Sequence, residues 1–434
     1  MRVVPDPYLP SHGDLRYTVE HYALALDYRL PTNRLDAVAT LRVRALEKTD
    51  ALRLDLSGLH VDRVKVDGGK PKKYAHKERV LTIKLPAPVA AGDTTTVEVT
   101  YSGKPGPVPG AHGPAGWEEL TDGVLVASQP YGAPSFYPCN DRADDKASYR
   151  IAVTTDSEYT VVATGRPTST TTRAGRTTWV FEEGAPTASY LVSVAIGRLT
   201  GQRLPGAGGR TEVFRPRGRA IPPTSPLLRL PAMLAALEGW FGPYPLHSYR
   251  VVVVDEPLEI PLEAQGMASF GTNHLPDDWD NERLVVHELA HQWFGNKVTS
   301  GLLRDIWLHE GFACYTEWLW SEVRGLGTAN EHAMRHWRAL PMQRQATPLA
   351  DPGMPAMFDD WVYKRGALTL HELRAALGDD AFFEVCRTWV AEHDVVSTGT
   401  FVDHVARVTG TDQSGLLSAW LDEVTLPACP VVAR

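Results

Sequence analysis

The hydrophobic period of the chain changes near residue 205, and this change restricts the possible folds more than any other feature. Before it, apolar and polar residues alternate over short runs such as 24–28 and 39–45, which is the period of a half-buried strand. After it, apolar residues recur at helical spacing, for example over 306–323. We therefore predict a multidomain α+β protein, with an antiparallel all-β domain over residues 1–205 and a mostly α domain over residues 206–434.

The same two patterns locate further elements. Strands are expected at residues 52–56, 80–85, 96–101, 149–153, 159–163 and 190–196. Helices are expected at residues 227–241, 284–294 and 366–376, with a short buried strand at 251–254. Turn residues such as Asp67-Gly68-Gly69 separate the strands.

Length and charge exclude several classes of protein. A chain of 434 residues is too long for one ordinary core. Its net charge of -8, with no run of lysine or arginine, argues against nucleic acid as a partner. No apolar window approaches the roughly 20 residues that a membrane helix needs. We therefore expect a water-soluble protein that binds neither nucleic acid nor membrane.

The ends and the cysteines indicate a reducing location. Residues 1–12 have neither the apolar stretch nor the cleavage site of a secretion signal. The cysteines, at positions 139, 314, 386 and 429, have no spacing typical of a disulfide framework or a zinc knuckle. We expect a cytoplasmic protein, and the sequence leaves its oligomeric state open.

A possible metal site lies in the predicted helix 284–294. His287 and His291 are four positions apart, so they share one helix face and can bind one ion. Glu288 projects close to that face, where its carboxylate can take a proton from a metal-bound water. The pattern predicts a metallopeptidase centre, although five residues alone can match by chance.

A catalytic zinc ion needs a third protein ligand. A third histidine six residues after the second is excluded, because position 297 is Lys297. Glu310, on the following predicted helix, is the alternative. His309 is a competing candidate, but neighbouring helix positions point about 100° apart, so His309 and Glu310 should not both face one ion.

The flanking residues extend this pattern. The stretches 287–296 (HELAHQWFGN) and 307–313 (WLHEGFA) resemble the aminopeptidase N family of gluzincins. The resemblance implies a thermolysin-like catalytic domain with one Zn²⁺ per chain. It also implies that His287, His291 and Glu310 are the zinc ligands and Glu288 the general base. Glu317 would either hold a ligand histidine from behind or serve as an ordinary helix carboxylate.

The resemblance continues at three further places. Tyr363, in Tyr363-Lys364-Arg365-Gly366-Ala367, matches a family tyrosine that donates to the oxyanion. Glu263 matches the family glutamate that binds the substrate's α-ammonium, although the surrounding glycine and asparagine are absent. Gln129 matches a glutamine that reaches the same ammonium. These matches imply that Tyr363 is catalytic and that Glu263 and Gln129 bind substrate.

The resemblance implies a zinc aminopeptidase that releases N-terminal residues from peptides with a free N-terminus. Large members of the family carry a further C-terminal helical domain, for which this sequence has no counterpart. Two alternatives remain open. On the same zinc site, the altered stretch around Glu263 would also suit an endopeptidase, and one branch of the family hydrolyses an epoxide. Some relatives use this scaffold only to bind partners.

Overall fold

The computed structural model describes residues 4–343 and 345–428, which divide into two units. The first, called the β unit, contains the residues up to Gln202 together with Glu212–Ala220 and Arg250–Thr272. The second, called the helical unit, contains Arg203–Thr211, Ile221–Tyr249 and the residues from Asn273 onward. Two segments beyond the expected border near residue 205 thus return to the β unit. Cys429 lies outside the described residues.

Most strands lie in the first half of the chain, and a few shorter ones follow among the helices. In chain order they are β1 Tyr17–Arg29, β2 Arg34–Ala45, β3 Thr49–Asp55, β4 His60–Val66, β5 Lys73–Lys77, β6 Val80–Val89, β7 Thr94–Gly103, β8 Gly116–Leu120, β9 Gly123–Ala127, β10 Ala147–Asp156, β11 Thr160–Ala163, β12 Arg166–Arg173, β13 Arg176–Thr187, β14 Val194–Gly197, β15 Leu199–Arg203, β16 Thr211–Pro216, β17 Tyr249–Val253, β18 Leu262–Ala264, β19 Met267–Phe270, β20 Thr299–Ser300 and β21 Val395–Val396. Each strand predicted in the first half overlaps one of these. The first two residues of the predicted strand 190–196 instead belong to a 3₁₀ turn, Ser189–Leu191.

The largest sheet has the strand order β12-β13-β10-β1-β2-β7-β4. Alternation buries one face of β1, where Tyr22, Leu24 and Leu26 are at most 1% exposed. Neighbouring strands are antiparallel, as predicted, except that β1 and β10 are parallel, with Leu24 opposite Ile151. A parallel pair requires a long crossover connection, and here the strands β2 to β9 lie between the two in sequence.

The segments that return to the β unit do so by strand pairing. Strands β15 to β19 form one sheet in the order β15-β16-β17-β19-β18. Leu125, Val162 and Met267 belong to one buried apolar cluster in this unit. The change to a helical period after residue 205 is therefore interrupted by strands that complete the β unit.

Helices form the second unit: α1 Leu230–Phe241, α2 Trp279–Ala290, α3 Trp307–Arg324, α4 Ala329–Ala339, α5 Asp360–Leu377, α6 Asp379–Glu392, α7 Thr398–Thr409 and α8 Ser414–Leu421. The helices predicted at 227–241, 306–323 and 366–376 are confirmed. The helix predicted at 284–294 begins and ends earlier, because α2 starts at Trp279 and residues 291–293 form a turn after it. None of the helices in the described residues combines the length and apolarity needed to cross a membrane.

Helix α5 is fixed to the end of α8 and to the segment after it by a buried cation. Arg365 is 0% exposed, and its guanidinium donates to the carbonyl oxygens of Trp420 at 2.8 Å and Val424 at 2.9 Å. It also donates to the carbonyl oxygen of Glu423. Burial lowers the pKa of Arg365 to about 10. These carbonyl contacts satisfy a charge that would otherwise be costly to bury.

Helices α3 and α5 approach closely because both carry glycine at their contact. A Cβ atom built on Gly366 would lie 2.7 Å from the Cα atom of Gly311, and one built on Gly311 would lie 2.9 Å from that of Gly366. Neither helix could take a larger residue there without moving apart from the other. The distance between α3 and α5 therefore depends on these two glycines.

We expect Gly366→Ala to destabilise the protein by about 1–3 kcal/mol, the usual cost of overpacking a filled contact. Urea unfolding followed by circular dichroism measures this change. Gly239→Ala in α1 is the matched control, because its Cβ atom would meet nothing within 4 Å. That substitution should stabilise the protein by up to about 1 kcal/mol through helix propensity. Equal stability of the two variants would contradict the close contact.

Candidate metal centre

Helices α2 and α3 bring three metal-binding side chains together. Nε2 of His287 lies 3.3 Å from Oε2 of Glu310, and Nε2 of His291 lies 3.5 Å from the same oxygen. His287 is on α2, His291 follows the last residue of that helix, and Glu310 is in the first turn of α3. All three are buried, with exposures of 2–6%. The structure thus places the predicted donor set around one point.

These distances fit a zinc ion. Tetrahedral zinc with bonds of about 2.0–2.1 Å holds neighbouring donor atoms about 3.3–3.4 Å apart. Two histidines and one glutamate form a catalytic zinc set that leaves the fourth position for water or substrate. Glu288 lies beside this set, with a carboxylate oxygen within 4.8 Å of a ring nitrogen of His291. Its Oε2 atom is buried and has no hydrogen-bond partner among the described residues, as expected of a group that faces the open position.

The far side of each imidazole ring is held by an acceptor. His287 donates from Nδ1 to Glu317 at 2.8 Å, and His291 donates from Nδ1 to the carbonyl oxygen of Phe294 at 3.1 Å. These bonds orient both rings so that their Nε2 atoms face the donor set. Glu317 therefore contacts a candidate ligand directly, as one of the two interpretations of its position predicted. Arg283, one turn before His287, lies 3.5 Å from the second oxygen of Glu317.

The buried charges explain the need for a cation. Burial lowers the pKa of His287, but the carboxylates of Glu310 and Glu317 outweigh it and raise this pKa to about 10. Burial lowers the pKa of His291 to about 4. Burial acts to raise the pKa of Glu317, but Lys364 and His287 lower it to about 2. A proton on His287 thus balances carboxylates that a divalent metal ion would balance better.

His309 is oriented away from the donor set. Its Nε2 atom accepts the backbone N–H of Ser300 at 2.8 Å. Its ring lies beside Gly295, where a Cβ atom would be 3.6 Å from Nδ1 of His309 and 3.3 Å from Nδ1 of His291. Gly295 also has φ of 119°, a conformation that favours glycine. His309 therefore supports the turn that follows α2.

Helix α5 contributes Tyr363 to this centre. Its ring stacks on that of His287, with centroids 5.9 Å apart and planes inclined by 23°. The next residue, Lys364, is buried and donates to Sγ of Cys314 at 3.4 Å. Lys364 was not predicted as a functional residue. The signal that could have identified it is the stretch 363–367, which resembles a family motif. Tyr363 is therefore positioned beside the donor set, while Lys364 keeps Glu317 anionic.

The two predicted amine-binding residues meet within the β unit. Nε2 of Gln129 donates to Oε1 of Glu263 at 2.7 Å, although the residues are 134 positions apart. Glu263 lies in β18, the edge strand of its sheet, and is only 5% exposed. The hydrogen bond orients both side chains. The structure thus joins these residues even though the sequence around Glu263 departs from the family pattern.

Two family models match the chain. The peptidase M1 N-terminal domain matches residues 18–191, and the peptidase family M1 domain matches residues 230–420. Among curated proteins, aminopeptidase 2 of Candida albicans is 23% identical over 95% of this chain and 48% of its own length. Endoplasmic reticulum aminopeptidase 1 of Homo sapiens is 24% identical over 90% of this chain and 46% of its own length. The chain spans about half the length of these relatives.

Among solved structures, an M1 zinc metallopeptidase from Deinococcus radiodurans, crystallised as a mutant with the peptide Tyr-Ser-Ala, has a TM-score of 0.90 and 31% identity. The match covers 99% of this chain and 100% of the other. The β-rich first half and the helical second half agree with this neighbour. The similarity along both chains and the donor set His287, His291 and Glu310 show that this chain belongs to peptidase family M1, a family of zinc metallopeptidases.

Proposed function

We propose that the protein is a zinc aminopeptidase that releases N-terminal residues from peptides. The observation that carries the proposal is the buried donor set of His287, His291 and Glu310 beside the carboxylate of Glu288, which has an oxygen with no partner among the described residues. The names of the relatives, several of them aminopeptidases, support the same activity.

The chain's own residues have distinct roles in the proposed reaction. When bound, a zinc ion lowers the pKa of water and polarises the substrate carbonyl. Glu288 accepts the proton of the attacking water and later donates it to the leaving amine. Tyr363 donates from its hydroxyl to the carbonyl oxygen as negative charge develops there. Its stacking on His287 supports this role.

Recognition of the free N-terminus would come from Glu263 and Gln129. The carboxylate of Glu263 would accept hydrogen bonds from the α-ammonium, and the amide oxygen of Gln129 would accept another. The 2.7 Å bond between the two residues supports their action as a unit. The expected partner is therefore a peptide with a free N-terminus.

A second candidate function uses the same zinc centre on another substrate, as an endopeptidase or an epoxide-hydrolase-like enzyme. Leukotriene A-4 hydrolase of Xenopus laevis is 23% identical over 85% of this chain, and the altered stretch around Glu263 would also suit an endopeptidase. A protein that only binds partners is less well supported, because the donor set and Glu288 are complete.

We further propose a reducing location such as the cytoplasm. Cys139, Cys314 and Cys386 are free and buried. Burial raises the pKa of each of these thiols, so they should react slowly.

Glu317→Gln should weaken zinc binding by about 10- to 100-fold, because the ring of His287 loses a charged acceptor behind it. Competition with a chromophoric chelator measures the affinity. Glu384→Gln is the control, because Glu384 is an exposed carboxylate of α6 that pairs with Arg387. Unchanged affinity in Glu317→Gln would show that the contact does not support the metal.

Glu288→Gln should lower kcat on amino-acid aminocoumarin substrates by about 10²–10⁴, the usual contribution of a general base. The zinc content should stay unchanged, since Glu288 is outside the donor set, and metal analysis of the same sample checks this. The Glu384→Gln control should retain full activity. Turnover of the Glu288→Gln variant at the unsubstituted rate would rule out the proposed mechanism.

Free peptides should be cleaved and their N-acetylated forms should not, because acetylation removes the charge that Glu263 recognises. Glu263→Gln should reduce kcat/KM for free peptides by about 10- to 100-fold, the value of a hydrogen bond to a charged group. Glu259→Gln, an exposed neighbour on the same segment, should have no effect. Mass spectrometry of the digests measures how much of each free or acetylated peptide is cleaved. Equal cleavage of free and acetylated peptides would favour the endopeptidase.

A further inference from the structure

A second cluster of metal-binding side chains lies in the helical unit, where α6 ends and α7 packs against it. Glu392, His393 and His404 offer ligand atoms that all lie within 4.8 Å of one another. We propose that these residues bind a second divalent metal ion of the first transition row, such as zinc. They share no residue with the donor set of His287, His291 and Glu310, so the proposal does not depend on the catalytic function.

Hydrogen bonds fix the ring of His404 in the tautomer that a metal ligand needs. Its Nε2 atom lies 3.1 Å from the carbonyl oxygen of Val385 and 3.1 Å from Oγ1 of Thr388. The carbonyl oxygen can only accept, so Nε2 carries the hydrogen and Nδ1 carries the lone pair. A histidine that donates one ring nitrogen to a backbone carbonyl while the other binds the ion is the usual arrangement at protein metal sites.

The second imidazole is already close to the required distance. Nε2 of His393 lies 3.0 Å from Nδ1 of His404, and tetrahedral zinc would hold two such nitrogens about 3.3–3.4 Å apart. Trp389 packs against both rings, at centroid distances of 4.5 Å and 5.2 Å. Only a small shift of the two rings is therefore needed for both to bind one ion.

A cation already contacts two of the three proposed ligands. The guanidinium of Arg407 lies 3.0 Å from Nδ1 of His404 and pairs with Glu392. Its side chain is 55% exposed, so it can move into solvent when a metal ion takes its place. Lys297 donates to the carbonyl oxygen of His393 at 3.1 Å and adds a second positive charge nearby. The two cations weaken metal binding and make this site weaker than the catalytic one.

The ligand types select the ion. Two imidazoles and one carboxylate suit zinc, copper, nickel or cobalt, whereas calcium and magnesium require mainly oxygen ligands. Zinc and nickel should therefore bind, and magnesium should not compete.

Hydrogen bonds connect this cluster to the start of helix α3, which carries Glu310. Strand β21, which follows His393, pairs with β20, so that Ser300 lies opposite Val396. The backbone N–H of Ser300 in turn donates to His309, the neighbour of Glu310.

Isothermal titration of the purified enzyme, already loaded with one equivalent of zinc, tests the proposal with zinc chloride as the probe. We expect a second, weaker binding event. His393→Asn should weaken it by more than about tenfold, since even the loss of an outer partner costs 10- to 100-fold. Arg407→Gln should strengthen it, because it removes the competing cation. Aminocoumarin assays with one equivalent of zinc should be unaffected in both variants.

His247→Asn is the matched control, because it removes an exposed imidazole elsewhere in the helical unit, and it should leave the second event unchanged. His404→Asn and Glu392→Gln should also weaken the second event. If His404→Asn fails to fold, His393→Asn and Glu392→Gln still decide the question, because His393 is only partly buried and Glu392 is exposed. Binding of a single zinc ion, or a second event that none of these substitutions changes, would overturn the proposal.

Discussion

The burial of several carboxylates beside two imidazoles is the constraint on which the helical unit depends. Glu310, Glu317 and Glu288 are each at most 4% exposed, and uncompensated charges at that depth would cost far more than a protein's net stability. Compensation comes from His287, from Lys364 and Arg283 around Glu317, and from the metal ion that the donor set fits. The charges at this centre therefore also hold α2, α3 and α5 together.

Local patterns in the sequence predicted much of the fold and the donor set. Alternating apolar residues identified several strands, among them β1, β2 and β3. The spacing of His287 and His291 indicated a metal site, and the family resemblance added Glu310 as the third candidate ligand. The N-terminal signals of α4 and α7 were present but unused: Thr328 with Glu331 and Ser397 with Thr400 form capping boxes. The end of helix α2 was predicted four residues too late, because the turn after it depends on Gly295 and on contacts with His309.

Contacts between residues far apart in sequence were not predictable from local patterns. The bond between Gln129 and Glu263 joins positions 134 residues apart, and periodicity contains no information about such a pairing. The same reason explains why the division into units was not predicted in full. Strands β16 and β17 are neighbours in one sheet, although helix α1 lies between them in sequence. Glu317 illustrates an intermediate case, because its helix position allowed two roles and only the 2.8 Å contact with His287 decided between them.

The buried guanidinium of Arg365 has a practical consequence for handling the protein. It joins α5, the helix that carries Tyr363, to the backbone carbonyls of residues 420–424. Removing that short segment would deprive a cation in the interior of its backbone acceptors and leave it the side-chain oxygen of Gln345, 3.1 Å away. A shortened form for crystallisation or display should therefore retain the chain through at least residue 425. Without residues 420–424, helix α5, which carries Tyr363, would lose its attachment to this part of the chain.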